Sequence, residues 1–281
     1  MSMSISIEKR SIRGHRSQVT CLHSSYNSPL VASGSEDRTV RLWDRSTSRS
    51  VKCLHQCFTT SIEQVRFSKK DDHLIYVASA DRIYCFDMRK DAVLDSAPLS
   101  VCCHEFTDIT TMELSPAADS IVLSDDTDLV CRIDINSGGS FVDDSMRKFR
   151  AVHTNSIGSM AFADKRNELY SGGFDFSIVK WDLDNARPIN KLELTCFETI
   201  DSSNQMYNPP CVTQMPTIED VPVLIAALGD GSVSAYLMVY FLLCLDPIVD
   251  VVGALLVYGR AIHPLRLSGS LCHDCFFAVH G

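Results

Sequence analysis

Short runs rich in β-branched, aromatic and other apolar residues follow one another along most of the chain, separated by clusters of Gly, Asp, Ser and Asn. The run at 19–23 is followed by Leu30-Val31-Ala32-Ser33-Gly34, an acidic turn at Glu36-Asp37-Arg38, and Thr39-Val40-Arg41-Leu42-Trp43-Asp44. No long segment carries the 3.6-residue periodicity of an amphipathic helix, so the pattern predicts an all-β protein.

The order of these runs repeats. Gly14-His15 heads the first copy, and a second complete copy runs from His153 through 157–162, Leu169-Tyr170-Ser171-Gly172 and Asp175 to Trp181-Asp182. Two degraded copies lie between them. One comprises 62–67, 74–79, Asp81 and 83–87; the other comprises 109–114, 120–123, Asp128 and 129–134. A fifth reads 223–228, Gly229-Asp230-Gly231 and 232–237. Trp43, Phe86, Ile133, Trp181 and Tyr236 end the corresponding strands at intervals of 43, 47, 48 and 55 residues. A period of this length belongs to stacked supersecondary units that cannot bury their faces alone.

The unit resembles the WD repeat over about residues 5 to 237, most specifically in the first and fourth copies. The resemblance implies a β-propeller of four-stranded blades stacked round a central channel. It divides the chain into a propeller at 1–237, with repeats at about 14–54, 55–101, 102–150, 151–194 and 212–237, a linker at 195–211 and a divergent hydrophobic tail at 238–281. WD propellers commonly close with seven blades, so five repeats imply an incomplete ring. Ser4-Ile5-Ser6-Ile7 alternates like a strand and by resemblance would complete the last blade. An interrupted ring exposes strand edges and apolar faces, which predicts low stability and a tendency to pair with another chain.

His15, Ser33 and Asp37 invite a reading as a catalytic triad, which needs an exposed nucleophile and an oxyanion hole. The resemblance implies instead a hydrogen-bonded tetrad in which Asp37 orients His15, His15 meets Ser33 and Ser33 meets the N–H of Trp43. His153, Ser171, Asp175 and Trp181 form the matching set. A buried imidazole and indole N–H would each cost about 1–3 kcal/mol without partners. A catalytic group also has no reason to recur with the blade period. The other three repeats lack the full set and are expected to rely on apolar packing. No phosphate loop, zinc-protease motif or nucleophile elbow is present, and Gly138-Gly139 and Gly172-Gly173 read as turn or bulge residues. The expectation is therefore no enzyme, no catalytic residue, no cofactor and no metal, with a propeller enzyme acting through channel residues as the alternative.

Function then means partner choice, and the expected role is a protein-interaction scaffold. Phe86-Asp87-Met88-Arg89 resembles the WD-x-Arg element of propeller subunits that recruit substrates to cullin-4 ubiquitin ligases through the adaptor DDB-one. The resemblance implies Asp87 and Arg89 as partner-binding residues. Phenylalanine stands in place of tryptophan, and the interval from Asp81 to Phe86 is one residue shorter than that from Asp37 to Trp43. The competing and preferred reading makes Arg89 the cap of a solvated charged loop with Lys90 and Asp91.

A formal charge of -9 argues against direct nucleic-acid binding and leaves recognition of histone or other basic peptides as a further alternative. The N-terminus lacks a secretory pattern, so a cytoplasmic or nuclear location is expected. The 12 cysteines are then reduced, with Cys21, Cys53, Cys85 and Cys131 read as buried small hydrophobes. Cys272-His273-Asp274-Cys275 offers only one CxxC and is not read as a zinc site.

After Leu237 the repeat pattern stops. The apolar stretch to Tyr258 carries Asp246, Pro247 and Asp250, so a membrane span is not expected and a splice-derived or gene-model tail is preferred. Residues from Thr195 to Pro216 read as an extended insertion, a connection rather than a docking peptide.

Overall fold

The computed structural model describes residues 11–89, 93–103, 106–163, 168–194, 209–216 and 223–237. These residues form strands, turns and bends and contain no helix. Ser4-Ile5-Ser6-Ile7, Lys90 and Asp91, most of the linker, the tail at 238–281 and Cys272-His273-Asp274-Cys275 lie outside the described residues.

The first sheet runs antiparallel through β1 (Val19–Ser24), β2 (Leu30–Ser35), β3 (Val40–Asp44) and β4 (Arg49–Leu54). The second contains β5 (Gln64–Phe67), β6 (Leu74–Ser79) and β7 (Arg82–Asp87). After β7 the chain crosses to the first sheet as β8 (Leu94–Asp95), which pairs parallel with β4, and returns to the second as β9 (Ser100–Cys103). The third sheet has the order β10 (Ile109–Leu114), β11 (Ser120–Asp125), β12 (Val130–Asp134), β13 (Arg147–Lys148). The fourth has β14 (Ile157–Phe162), β15 (Glu168–Gly173), β16 (Ser177–Asp182), β17 (Arg187–Glu193). The fifth has β18 (Val212–Gln214), β19 (Val223–Leu228), β20 (Val233–Leu237). Apart from β8, the strands of each repeat thus form one sheet, in sequence order from one edge to the other.

The chain divides into two compact units, residues 1–122 with 133–146 and residues 123–132 with 147–281. In the first, alternation along the strands puts Ala32, Val40, Leu42 and Leu54 on one face of the first sheet. This face packs against Ile62, Val65, Phe67, Ile75, Val77 and Phe86 of the second repeat. Burying each large aliphatic or aromatic side chain contributes about 1.5–3 kcal/mol, which is why stacking outweighs anything the isolated sheets supply. The long connection between β12 and β13 also belongs to this unit. Tyr76 donates a hydrogen bond of 3.1 Å to the Gly139 carbonyl, and its ring meets Phe141 at 6.0 Å.

In the second unit, Ala161, Tyr170 and Ile178 pack on Val212, Leu224, Ala226 and Tyr236. Gly172 is a glycine because a Cβ there would collide with the Val212 side chain, so its absence lets β18 approach β15. Gly139, at φ +85°, makes the turn assigned to it, a conformation that favours glycine.

Candidate functional site

In the first sheet the four residues of the expected tetrad are joined. The Trp43 indole N–H donates to Ser33 Oγ at 2.7 Å. His15 Nε2 lies 2.6 Å from Ser33 Oγ, and its Nδ1 lies 3.0 Å from Asp37 Oδ2. These partners fix the tautomer: Nδ1–H donates to the carboxylate, and Nε2 accepts from the serine hydroxyl. Ser33 is 2% exposed, so its hydroxyl is inaccessible as a nucleophile and is already engaged on both sides.

The fourth sheet repeats the arrangement. Trp181 donates to Ser171 Oγ at 2.7 Å, His153 Nε2 lies 2.7 Å from the same oxygen, and His153 Nδ1 lies 3.0 Å from Asp175 Oδ1. Burial alone would raise both carboxyls. Hydrogen bonds from the Thr39 hydroxyl, the Arg16 N–H and His15 instead hold Asp37 at about 2. His153, the Ser177 hydroxyl and the Thr154 N–H likewise hold Asp175 well below the usual carboxylate range.

Thr39 and Ser177 are members that sequence reasoning missed. Thr39 Oγ1 donates to Asp37 Oδ1 at 2.6 Å, and Ser177 Oγ donates to Asp175 Oδ1 at 2.8 Å. Between each pair sits a residue in the left-handed region, Arg38 (φ 62°) or Phe176 (φ 59°). The signal was a hydroxyl residue two positions after the turn aspartate. It recurs in the fifth repeat, where Ser232 Oγ donates to Asp230 Oδ1 at 2.6 Å across Gly231.

Asp128, which the sequence pattern places at the turn of the third repeat, is not the counterpart of Asp37 and Asp175: at φ 65° it occupies the left-handed place held by Arg38 and Phe176. Its backbone N–H reaches the Asp125 carbonyl just as that of Arg38 reaches Ser35. In this turn Asp125 accepts the Thr127 hydroxyl at 2.6 Å. Burial and the neighbouring Asp175 push the Asp128 carboxyl up, with His153 opposing.

The second sheet fills the tetrad space with carbon. Ile75 pairs with Phe86 as Leu169 pairs with Trp181, so Val77 stands where Ser171 stands. Phe58 meets Tyr84 at 5.1 Å and Phe86 at 5.8 Å.

Asp87 and Arg89 are brought together by β7 and the turn after it. Arg89 Nε lies 2.9 and 3.0 Å from the Asp87 carboxylate oxygens, and Nη2 lies 2.7 Å from Oδ2. The arginine side chain is 58% exposed, and its fork holds the Asp87 carboxyl below the usual range. Arg89 lies in the exposed turn after β7, and much of its fork engages its own carboxylate.

Among the described residues no cluster of His, Cys, Asp and Glu has the make-up of a metal site. Cys53, Cys85 and Cys131 are buried free thiols, whereas Cys21 is only half-buried. Burial pushes Cys85 and Cys131 up to about 12, far from a reactive thiolate.

A family model described as "WD domain, G-beta repeat" matches residues 7–44 and 145–182, the segments that contain the two tetrads. The chain is 27% identical over 235 residues to the WD repeat-containing protein 53 homolog of Dictyostelium discoideum, covering 78% of this chain and 62% of that protein. It thus spans less than two thirds of that relative's length. Over 42 residues it is 55% identical to WD repeat-containing protein 18 of Bos taurus and 48% identical to that of Homo sapiens. Each match covers 15% of this chain and about a tenth of the relative.

Proposed function

Because the chain belongs to the WD-repeat family, we propose that it works as a protein-interaction scaffold, holding partners on loops carried by stiff stacked sheets. The observation that carries this reading is the fate of the polar residues. The histidine, serine and aspartate that could have made a catalytic site are spent inside the first and fourth sheets as struts, with Ser33 and Ser171 at most 2% exposed. Chemistry with outside molecules is left to the turns and rims. Capture of the full chain from cells, followed by quantitative mass spectrometry, tests it. One or more proteins at near-stoichiometric amounts is the expected result, and their absence would refute the scaffold.

The more specific form is substrate reception for a cullin-4 ubiquitin ligase, with Arg89 and Asp87 contacting the DDB-one adaptor. Its support is the resemblance of Phe86-Asp87-Met88-Arg89 to the docking element and the exposed position of Arg89. In this form Asp87 orients the arginine, whose remaining donors meet carbonyls or carboxylates of the adaptor. Purified adaptor should bind the full chain and lose at least about tenfold in affinity for Arg89→Ala, with unchanged thermal unfolding. Equal binding by wild type and Arg89→Ala would remove the adaptor role and leave the scaffold standing.

A further inference from the structure

The turns that follow β3, β7 and β16 share one device. The aspartate that ends the strand accepts the N–H of the residue two positions on, as Asp44 does from Ser46 at 2.7 Å, Asp87 from Arg89 at 2.9 Å and Asp182 from Asp184 at 3.1 Å. The middle residue is held as well in two of them: Arg45 N–H donates to the Pro29 carbonyl at 2.9 Å, and Met88 N–H donates to the His73 carbonyl at 2.7 Å. The turn after β7 has a further support from another sheet. Lys52, on β4 of the first sheet, donates from Nζ to the Met88 carbonyl at 3.2 Å. Among the described residues no side chain donates to the matching carbonyls of Arg45 and Leu183.

Lys52 is 7% exposed, and lysine is seldom buried to this degree without a partner. Its place in the turn gives that burial a consequence. The Met88 carbonyl and the Arg89 N–H are the two ends of one planar peptide group. Lys52 holds the oxygen end and the Asp87 carboxylate holds the N–H end, so the plane cannot rotate without breaking a hydrogen bond. The preceding peptide is held through Met88 N–H by the His73 carbonyl. Both peptides around Met88 are therefore fixed, and with them the direction in which the Arg89 side chain leaves the turn. A long side chain that is 58% exposed binds well only if its base is set in advance, because ordering it on docking costs affinity.

We propose that Lys52 is a positioning residue for docking: from the first sheet it fixes the peptide that presents Arg89 on the second, so that two repeats build one docking element. This rests on the reading of Arg89 as the adaptor contact. Lys52 itself is buried and acts through the turn. A substitution in the first repeat therefore weakens docking by the second, although the two residues are 37 positions apart by subtraction of their numbers.

Two measurements on the full chain test the proposal. Lys52→Met keeps the apolar stem and removes the donor, Lys52→Gln is a shorter second variant, and Lys148→Met, at an exposed site on β13, is the control. Circular dichroism melts establish that each variant folds. Hydrogen exchange followed by nuclear magnetic resonance should show the Arg89 amide exchanging about fivefold faster in both Lys52 variants and unchanged in Lys148→Met, the loss expected for one hydrogen bond. Affinity for purified DDB-one adaptor should fall about fivefold in Lys52→Met. The double variant Lys52→Met with Arg89→Ala should bind no more weakly than Arg89→Ala alone, because a residue that acts through another adds nothing once that residue is gone. An Arg89 amide as slow in the Lys52 variants as in wild type, or losses of affinity that add in the double variant, overturns the role of Lys52. A wild-type chain that does not bind the adaptor, or binds it equally after Arg89→Ala, removes the adaptor reading instead, and amide exchange alone then decides whether Lys52 sets the turn.

Discussion

The fourth and second sheets solve the same packing problem with opposite chemistry. In the fourth, Trp181 lies 5.6 Å from Phe149, while its N–H begins a chain through Ser171 and His153 to Asp175. In the second, Phe86 and Val77 occupy the matching places, and the rings of Phe58 and Tyr84 close over them. The apolar version loses only volume and contact when trimmed. The polar version adds interdependence, because every member satisfies another that could not be buried alone. It also fixes one geometry, since indole, hydroxyl, imidazole and carboxylate must meet in order.

That contrast predicts unequal responses to substitution. Phe86→Ala, at a site with no exposure, should destabilise the chain by about 3–5 kcal/mol in urea unfolding, through lost transfer energy and an unfilled cavity. Ser171→Ala removes far fewer atoms, yet leaves the Trp181 N–H and His153 Nε2 unpaired in a site where the histidine side chain is fully buried. Its expected cost is about 1–3 kcal/mol. The same serine-to-alanine change at the exposed Ser46 should cost almost nothing. If Ser171→Ala is as mild as Ser46→Ala, the polar chain is an accident of packing and the comparison fails.

The two tetrads were legible because their members are chemically obligatory. An indole N–H in a sheet needs an acceptor, and the spacing of His15, Ser33, Asp37 and Trp43 recurs at His153, Ser171, Asp175 and Trp181. Asp128 misled because Asp125, Asp126 and Asp128 crowd a single turn, and only a backbone angle says which one stands in the left-handed place. β8 was hidden for a different reason. Val93 and Leu94 read as part of the second repeat, but their pairing partner is β4, and main-chain bonds such as Cys53 N–H to the Val93 carbonyl leave no mark in side-chain pattern. The self-bound fork of Arg89 was hidden likewise, because adjacency in sequence does not reveal whether an arginine turns back on its own aspartate.

Acid should separate the sheets by pH window. Asp37 and Asp175 have folded values below the ordinary carboxylate value of 3.8, so the unfolded chain binds protons first. Their contribution is present above about pH 4 and is lost as pH falls through the folded values, near 2 for Asp37 and lower for Asp175. Among the described residues the second sheet has no such carboxylate in its packed interior, but it is tied to β1 by His23, whose Nδ1 accepts the Phe67 N–H at 3.2 Å. Burial, with Arg66 nearby, lowers His23 from 6.5 to about 4. The unfolded chain again binds the proton first, so this tie weakens from about pH 6.5 down through 4, by about 1–2 kcal/mol after allowance for solvent screening. Hydrogen exchange should show β5 loosening in the upper window and β14 to β16 only in the lower. Asp175→Asn should flatten the lower response, and His23→Gln the upper.

The smallest expected effect is the most discriminating within the polar version itself. Ser177 is fully buried, and its hydroxyl serves Asp175; Thr39 serves Asp37 where the fold is more open, and its methyl group stays in Thr39→Val. Ser177→Ala should cost about 1 kcal/mol and Thr39→Val about half of that, near the lower end for single hydrogen bonds. Each should also raise its aspartate, moving acid sensitivity upward in its own sheet alone. Hydrogen exchange resolved by sheet reads both quantities at once. Equal losses would mean that burial does not set the strength of these struts; a loss without the shift in acid response would mean that the hydroxyl packs beside the carboxylate without supporting its charge.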